Sequence, residues 1–305
     1  MCCFHPFPAW RRSDDTKLDF VENSKNAKYH TGDMFMLPCG QCQGCLIDRA
    51  NDWATRCYCE NKTSTDSCYV TFTYNDENLP KDRSLNKKDM TDFWKRLRYY
   101  NPNAKIRYIY CGEYGDELER PHYHAIIYNY RPKDLKFYKY NYNEDKLFTS
   151  KTLKKIWGKG FVIIGDVTYQ SSAYVTRYVT KKIFGKHAEE HYQGKVKEFI
   201  ETSRNGGIGI QYWEENKKEI IKNRGLYIKI KNKAKLKNIP KYYMKKLKEE
   251  NLEMFEEIQF ERMEKANETW EKILSNTNLS KNDYLDMMER NFKERTKILK
   301  RNNLI

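Results

Sequence analysis

The chain lacks any apolar run of roughly 18 residues or more, the length a membrane-spanning helix needs. Its start, Met1-Cys2-Cys3-Phe4-His5-Pro6-Phe7-Pro8-Ala9-Trp10, has no basic residues followed by an apolar stretch. The reading is therefore no signal peptide, no membrane partner and an intracellular protein, with its 9 cysteines present as reduced thiols. There is no internal repeat, no long low-complexity segment and no Gly-x₄-Gly-Lys-Ser/Thr phosphate loop. Histidine is scarce, with 6 in 305 residues, so any clustering of it carries weight. A chain of this length holds one or two domains.

Positive charge and aromatic rings are in surplus. The net charge is +15, with 24 Tyr, 14 Phe and 6 Trp. Positive charge draws a chain toward polyanions and aromatic faces stack on bases, which makes nucleic acid the favoured partner class. The surplus is local: residues 216–248 hold 13 Lys/Arg against the single acid Glu219, whereas residues 249–305 hold 10 basic and 13 acidic residues. The basic stretch is a candidate phosphate-contacting segment, the alternative being a solvated lysine-rich surface.

Periodicity organises the chain. Residues 1–37 read as an N-terminal arm with loops. After Pro38, Leu46, Ala50, Trp53, Ala54 and Cys57 form one apolar helix face. Residues 68–74 read as a strand. A helix that Ser84 can cap carries Met90, Phe93, Trp94 and Leu97 and stops at Asn101-Pro102. A hairpin follows, with strands at 106–111 and 122–130 around a turn from Gly112 to Pro121, then a polar, tyrosine-rich insertion at 131–148. A short helix at 152–157, a strand at 160–167 and a helix capped by Ser171 or Ser172 complete the pattern. This order predicts an α+β sandwich with a mainly antiparallel sheet. Residues 241–272 and 281–301 read as two charged helices. The expected domains are the arm at 1–37, a catalytic domain with a cysteine-rich helix at 38–200, and a basic, then charged, helical region at 201–305.

Within the hairpin stands His122-Tyr123-His124. Chance predicts roughly 0.1 such His-x-His spacings in a chain this poor in histidine. Alternate residues of a strand share a face, so the two imidazoles point the same way and can grip a divalent cation, while Tyr123 faces a core. Glu113, across the turn, can complete a His₂-carboxylate set suited to Mg²⁺ or Mn²⁺. The same spacing also suits two solvent-facing strand histidines. Downstream, Tyr174 and Tyr178 share one helix face, with Lys181 and Lys182 close behind. Roughly two such tyrosine spacings are expected by chance, and Tyr110/Tyr114 and Tyr138/Tyr142 also have it, so packing is the rival reading. A metal beside a tyrosine hydroxyl, with lysines favouring the phenolate, suits a nuclease with a tyrosine nucleophile.

Cys39-x-x-Cys42-x-x-Cys45, followed by Cys57-x-Cys59, is a second candidate cluster, for a structural zinc at Cys39, Cys42 and Cys45. The alternative is thiols around a helix start. His187-Ala188-Glu189-Glu190-His191 is not His-Glu-x-x-His and reads as an exposed helix or loop.

Taken together, these segments resemble the replication initiators of microviruses, small single-stranded DNA phages, and most closely the gokushovirus branch. That branch belongs to the His-hydrophobe-His (HUH) endonuclease superfamily. The resemblance spans roughly residues 36–248. It rests on Pro38 to Cys45, on Val70 to Tyr74, on Cys111-Gly112-Glu113 leading to Arg120-Pro121-His122-Tyr123-His124, and on Tyr174-x₃-Tyr178-x₂-Lys181-Lys182. Gly206-Gly207-Ile208-Gly209 and Ile239-Pro240-Lys241-Tyr242-Tyr243 also match. Tyr123 stands where the superfamily prefers an aliphatic residue.

The resemblance implies a central five-stranded antiparallel sheet flanked by helices. It implies metal-dependent nicking and joining of single-stranded and origin DNA through a 5′-phosphotyrosine bond, in rolling-circle initiation inside the bacterial host, with no helicase domain attached and with host helicase and polymerase as partners. Metal would sit on His122 and His124, with Glu113 as third ligand, and the nucleophiles would be Tyr174 and Tyr178. The alternatives are an HUH transposase or relaxase acting on other DNA, and a non-catalytic DNA-binding protein stabilised by zinc.

Overall fold

The computed structural model describes residues 3–12, 18–20, 30–115, 118–181, 187–204, 206–230 and 233–300. In chain order the elements are β1 (Phe7–Arg12), β2 (Leu18–Asp19), β3 (His30–Leu37), α1 (Gln43–Thr63), β4 (Ser67–Tyr74), α2 (Lys87–Tyr99), β5 (Arg107–Tyr114) and β6 (Pro121–Tyr128). They continue as β7 (Leu135–Tyr140), β8 (Lys146–Ser150), α3 (Lys151–Trp157), β9 (Gly160–Gly165), α4 (Tyr169–Lys181), α5 (His187–Tyr192) and β10 (Phe199–Thr202). The last are α6 (Ile210–Lys222), β11 (Gly225–Ile230), β12 (Lys233–Asn238), α7 (Lys241–Glu250), α8 (Leu252–Leu274) and α9 (Lys281–Lys300). They fall into two compact units, Met1–Arg49 with Phe260–Leu304, and Ala50–Gln259. None of the described helices is long and apolar enough to cross a membrane.

An antiparallel sheet in the order β10-β5-β6-β4-β9-β8-β7 organises the Ala50–Gln259 unit. Its first five strands correspond to the expected sheet, and the α+β architecture is as the sequence pattern predicts. The sheet runs two strands further because the 131–148 insertion is the β7–β8 hairpin, attached to β9 where Phe148 pairs Ile164. Phe137, Tyr138 and Tyr140 of β7 are all exposed, so the alternation that marks a half-buried strand is missing from its sequence.

Strand alternation divides side chains between the two faces of the sheet. Cys68, Val70, Phe72 and Tyr74 of β4 enter one core with Tyr123, Ala125 and Ile127 of β6. Met90, Phe93, Trp94 and Leu97 of α2 and Leu153, Ile156 and Trp157 of α3 cover them. Phe72 meets Phe93 at 4.6 Å and Trp157 at 5.3 Å between ring centroids. Each such buried ring contributes roughly 1.5–3 kcal/mol. On the other face, Ile109, Cys111, Ile126 and Tyr128 pack with Cys57 of α1 and Val175 of α4. The layers are helix, sheet, helix, and α4 lies on the second face.

Capping differs in detail from the sequence reading. Asn86 caps α2, its side chain accepting from the Lys88 amide at 2.9 Å, while the Ser84 hydroxyl accepts from the Val196 amide. At α4 the cap is Thr168: its hydroxyl accepts from the Ser171 amide at 3.1 Å, and the Ser171 hydroxyl accepts from the Thr168 amide at 2.8 Å. This is a reciprocal capping box with serine in the place usually held by Glu or Gln. Extended Asn251 divides the charged stretch 241–272 into α7 and α8 and accepts from the Met254 amide. Gly160, at φ +149°, lies so close to β4 that a Cβ would meet the Thr73 carbonyl oxygen at 2.2 Å.

A further core in the same unit joins Cys59, Trp213, Ile220, Leu226, Ile239, Tyr243, Met244 and Leu247. It brings together two motifs far apart in the chain. The Tyr243 hydroxyl donates to the Gly209 carbonyl at 2.6 Å, and the Gly209 amide donates to Glu60 at 2.6 Å. Gly209 starts α6 at φ +82°, where a Cβ would collide with the Tyr243 hydroxyl. Cys57 and Cys59 are fully buried in two different clusters, so neither joins a thiol site. In the other unit, β2-β1-β3 form a three-stranded antiparallel sheet.

Candidate active site

The β5–β6 hairpin builds the site by register. Glu113 pairs directly with His122, and Cys111 with His124, so all three ionisable side chains emerge on the α4 face. The hairpin closes where the Gly115 amide donates to the Arg120 carbonyl at 3.1 Å. Arg120 ties that end to β4, donating to the Tyr74 carbonyl at 2.9 Å and pairing with Asp76 at 2.8 Å.

One carboxylate oxygen is shared by both rings. Glu113 Oε1 lies 2.7 Å from His122 Nε2 and 2.7 Å from His124 Nε2, and the imidazoles stand edge to face with centroids 5.0 Å apart. Each ring is held from behind. His122 Nδ1 donates to the Arg120 carbonyl at 3.0 Å. His124 Nδ1 lies 2.6 Å from the Tyr69 hydroxyl and 3.0 Å from that of Thr71. Such contacts fix ring orientation and tautomer, as second ligand layers do at metal sites.

The donor set fits a divalent cation. A carbonyl only accepts, so His122 Nδ1 carries a proton, and its Nε2 in the neutral ring presents a lone pair toward Glu113. That contact needs either a second proton on the ring or a cation among the three groups. Burial pushes the Glu113 carboxyl up, but the hydrogen bonds and charges of His122 and His124 outweigh it and hold it at about 2. The carboxylate is therefore ionised at neutral pH. Glu113 and His124 are buried, while the His122 side chain keeps 15% of its exposure and forms the open side.

Tyr174 completes the described site. Its ring meets that of His124 edge to face at 5.1 Å and that of Tyr69 at 6.3 Å. Helix α4 is located by Val175 in the core and by Thr176, whose hydroxyl donates to the Ala50 carbonyl at 3.0 Å. Tyr178 and Lys181 belong to the same helix, but their side chains lie outside the described residues, as does the whole of Lys182. Tyr69 and Thr71 were not singled out from the sequence. Alternation puts them on the site face of β4, but only the pairing of Thr71 with His124 brings them to the histidine. Burial drives the Tyr69 hydroxyl well above the usual tyrosine range, with the Tyr174 and Glu113 charges adding, so it stays protonated.

The basic stretch 216–248 is built as the end of α6, the β11–β12 hairpin and α7. Lys233 and Lys235 are exposed on β12, and the Lys237 ammonium lies 5.2 Å from the ring of Tyr169, the first residue of α4. Part of the stretch is locally neutralised, through Lys217–Glu250, Lys246–Glu249 and Arg224–Glu257. Cys39, Cys42 and Cys45 lie in the other unit, where their sulfurs gather with that of Cys3.

Comparison with known proteins bears on the same residues. A family model for replication-associated proteins of the ORF2 type matches residues 67–183, from β4 past α4. The chain is 31% identical over 264 residues to the replication-associated protein ORF2 of Spiroplasma virus 4, covering 82% of this chain and 81% of that protein. It is 32% identical over 250 residues to the replication-associated protein VP4 of Bdellovibrio phage phiMH2K, with 80% and 76% covered. Replication-associated protein ORF4 of Chlamydia phage 1 is 28% identical over 202 residues, 64% of this chain and 50% of that protein. No solved structure matches.

Proposed function

The chain belongs to the microvirus-type family of phage replication-associated proteins, and from that premise we propose that it initiates rolling-circle replication by nicking and rejoining single-stranded DNA through a tyrosine. The observation that carries this reading is the single Glu113 oxygen 2.7 Å from both His122 and His124 Nε2, with the Tyr174 ring 5.1 Å from that of His124.

Glu113, His122 and His124 would hold Mg²⁺ or Mn²⁺, which supplies polarisation of a phosphodiester and offsets charge gathering on its oxygens. The protein's own groups do the rest. The Tyr174 oxygen gives up its proton and bonds to phosphorus. The bond from phosphorus to the 3′ oxygen breaks, and that oxygen leaves with a proton as a free 3′-hydroxyl. The 5′ end stays on the tyrosine, so the ester is conserved and the reverse attack reseals the strand without ATP. A tyrosine hydroxyl of pKa about 10 is a weak nucleophile at neutral pH, and Lys181 and Lys182 in the same stretch favour its phenolate. Tyr178 holds a second DNA end during rejoining.

The free 3′-hydroxyl primes synthesis. The reaction supplies neither strand opening nor nucleotide addition, which assigns those tasks to a host helicase and polymerase in the bacterial cytoplasm. Origin DNA and its single-stranded product are the substrates. The exposed lysines of β12 suit backbone phosphates.

A covalent-trapping assay tests the proposal. The protein is mixed with single-stranded fragments tiling its source genome, with Mg²⁺ or Mn²⁺, and resolved on a denaturing gel. A protease-sensitive shifted band, absent from the Tyr174→Phe/Tyr178→Phe variant, is expected. No adduct with any fragment and either metal would overturn it.

A further inference from the structure

We infer that Cys3, Cys39, Cys42 and Cys45 form a closed four-thiolate site for one structural zinc ion, separate from the histidine site. The four sulfurs all lie within 4.8 Å of one another, and Cys42 Sγ is 3.8 Å from Cys3 Sγ. A tetrahedral zinc with Zn–S bonds of about 2.3 Å sets its sulfurs about 3.8 Å apart. All four cysteines are free thiols. At 3.8 Å the Cys3–Cys42 pair is far beyond disulfide bonding distance.

The sheet of this unit brings the ligands together. Strands β1 and β3 pair antiparallel with Phe7 opposite Leu37, so the segment before β1 and the segment after β3 leave the same end of the ladder. Cys3 is on the first and Cys39 on the second. Gly40, at φ +75°, turns the chain back toward Cys42, and Cys42 and Cys45 straddle the first residues of α1. Backbone amides are aimed at sulfur: Cys39 N–H donates to Cys3 Sγ at 3.2 Å, Phe4 N–H to Cys42 Sγ at 3.3 Å, and Cys42 N–H to Cys39 Sγ at 3.3 Å. Amide donors stabilise thiolates far more than thiols, and the α1 N-terminus favours negative charge at Cys42 and Cys45. With four sulfurs facing one point, no position remains for water or substrate, which marks a structural site. Soft thiolates select zinc over Mg²⁺ or Mn²⁺, so the two sites sort their metals by ligand chemistry.

The test uses the full-length protein produced with zinc supplied and dialysed without chelator. Elemental analysis is expected to give one zinc per chain, released by a thiol-directed mercurial. Cys3→Ser is expected to lose the zinc, whereas His122→Ala/His124→Ala keeps it. Cobalt loaded into the wild-type protein reads the ligands without any variant: a near-ultraviolet sulfur-to-cobalt band with strong tetrahedral visible bands is expected. Zinc-free wild-type protein with no such cobalt spectrum would overturn the inference. Zinc lost with the histidines but kept in Cys3→Ser would do so equally.

Discussion

Two clusters of metal-type ligands stand in this chain, and they are built by opposite means. Glu113, His122 and His124 come from one hairpin of the central sheet, where cross-strand register aims them at a common point. Cys3, Cys39, Cys42 and Cys45 come from loops and a helix start, and a neighbouring strand pair gathers them across almost forty residues. The first set is hard, mixed in charge and partly open at His122. The second is soft, four-coordinate and closed. Ligand chemistry and openness together separate a site suited to holding a cation beside a substrate from one suited to holding the chain together.

Experiments can break that contrast, and the largest effect is expected at the histidine site. His122→Ala or His124→Ala should lower nicking by about 10³-fold or more, while salt-sensitive DNA binding persists. Cleavage that survives in these variants in the presence of EDTA would remove the metal from the mechanism. Brief EDTA treatment should abolish nicking in the wild-type protein at an unchanged melting temperature, whereas the mercurial should lower the melting temperature. If both reagents act alike, the division into catalytic and structural centres fails.

Smaller effects sharpen the comparison. Tyr69→Phe removes the hydroxyl 2.6 Å from His124 Nδ1 and should cost about 10–100-fold in metal affinity or activity, with zinc content unchanged. Wild-type activity in this variant would leave Thr71 as the sufficient anchor of the ring. The least effect on chemistry is expected from Lys233→Ala/Lys235→Ala/Lys237→Ala on β12. Each lost phosphate contact should flatten the log–log salt dependence of single-strand binding by about 0.7. An unchanged slope would make the hairpin a solvated surface. Substitution is the sound test here, because deleting 216–248 would strip Ile220, Leu226 and Tyr243 from a buried core.

How legible each part was follows from the range of the interactions that build it. Glu113, His122 and His124 sit within twelve residues on a hairpin, so period-two alternation and one turn suffice to bring them together. Tyr69 and Thr71 depend on which strand lies beside β6, a pairing that spans some fifty residues. The β7–β8 hairpin hid because its aromatics are exposed rather than alternating between core and solvent. The caps of α2 and α4 slipped by two to four residues because Ser, Thr and Asn compete for the same role and local packing decides among them.

What the sequence determined by itself was the local chemistry: alternation in β4 and β6, the apolar stripe of α2, the histidine pair with its carboxylate, and the Cys-x-x-Cys-x-x-Cys run. These follow from side-chain type and periods of 2 and 3.6, which need no knowledge of neighbours. What only the tertiary structure decided was company over distance. Strand order brought Tyr69 and Thr71 to His124, packing of α4 brought Tyr174 to the same ring, and pairing of β1 with β3 brought Cys3 to three cysteines it does not resemble in spacing. Such contacts are set by burying whole faces at once, an energy that no short window of sequence contains.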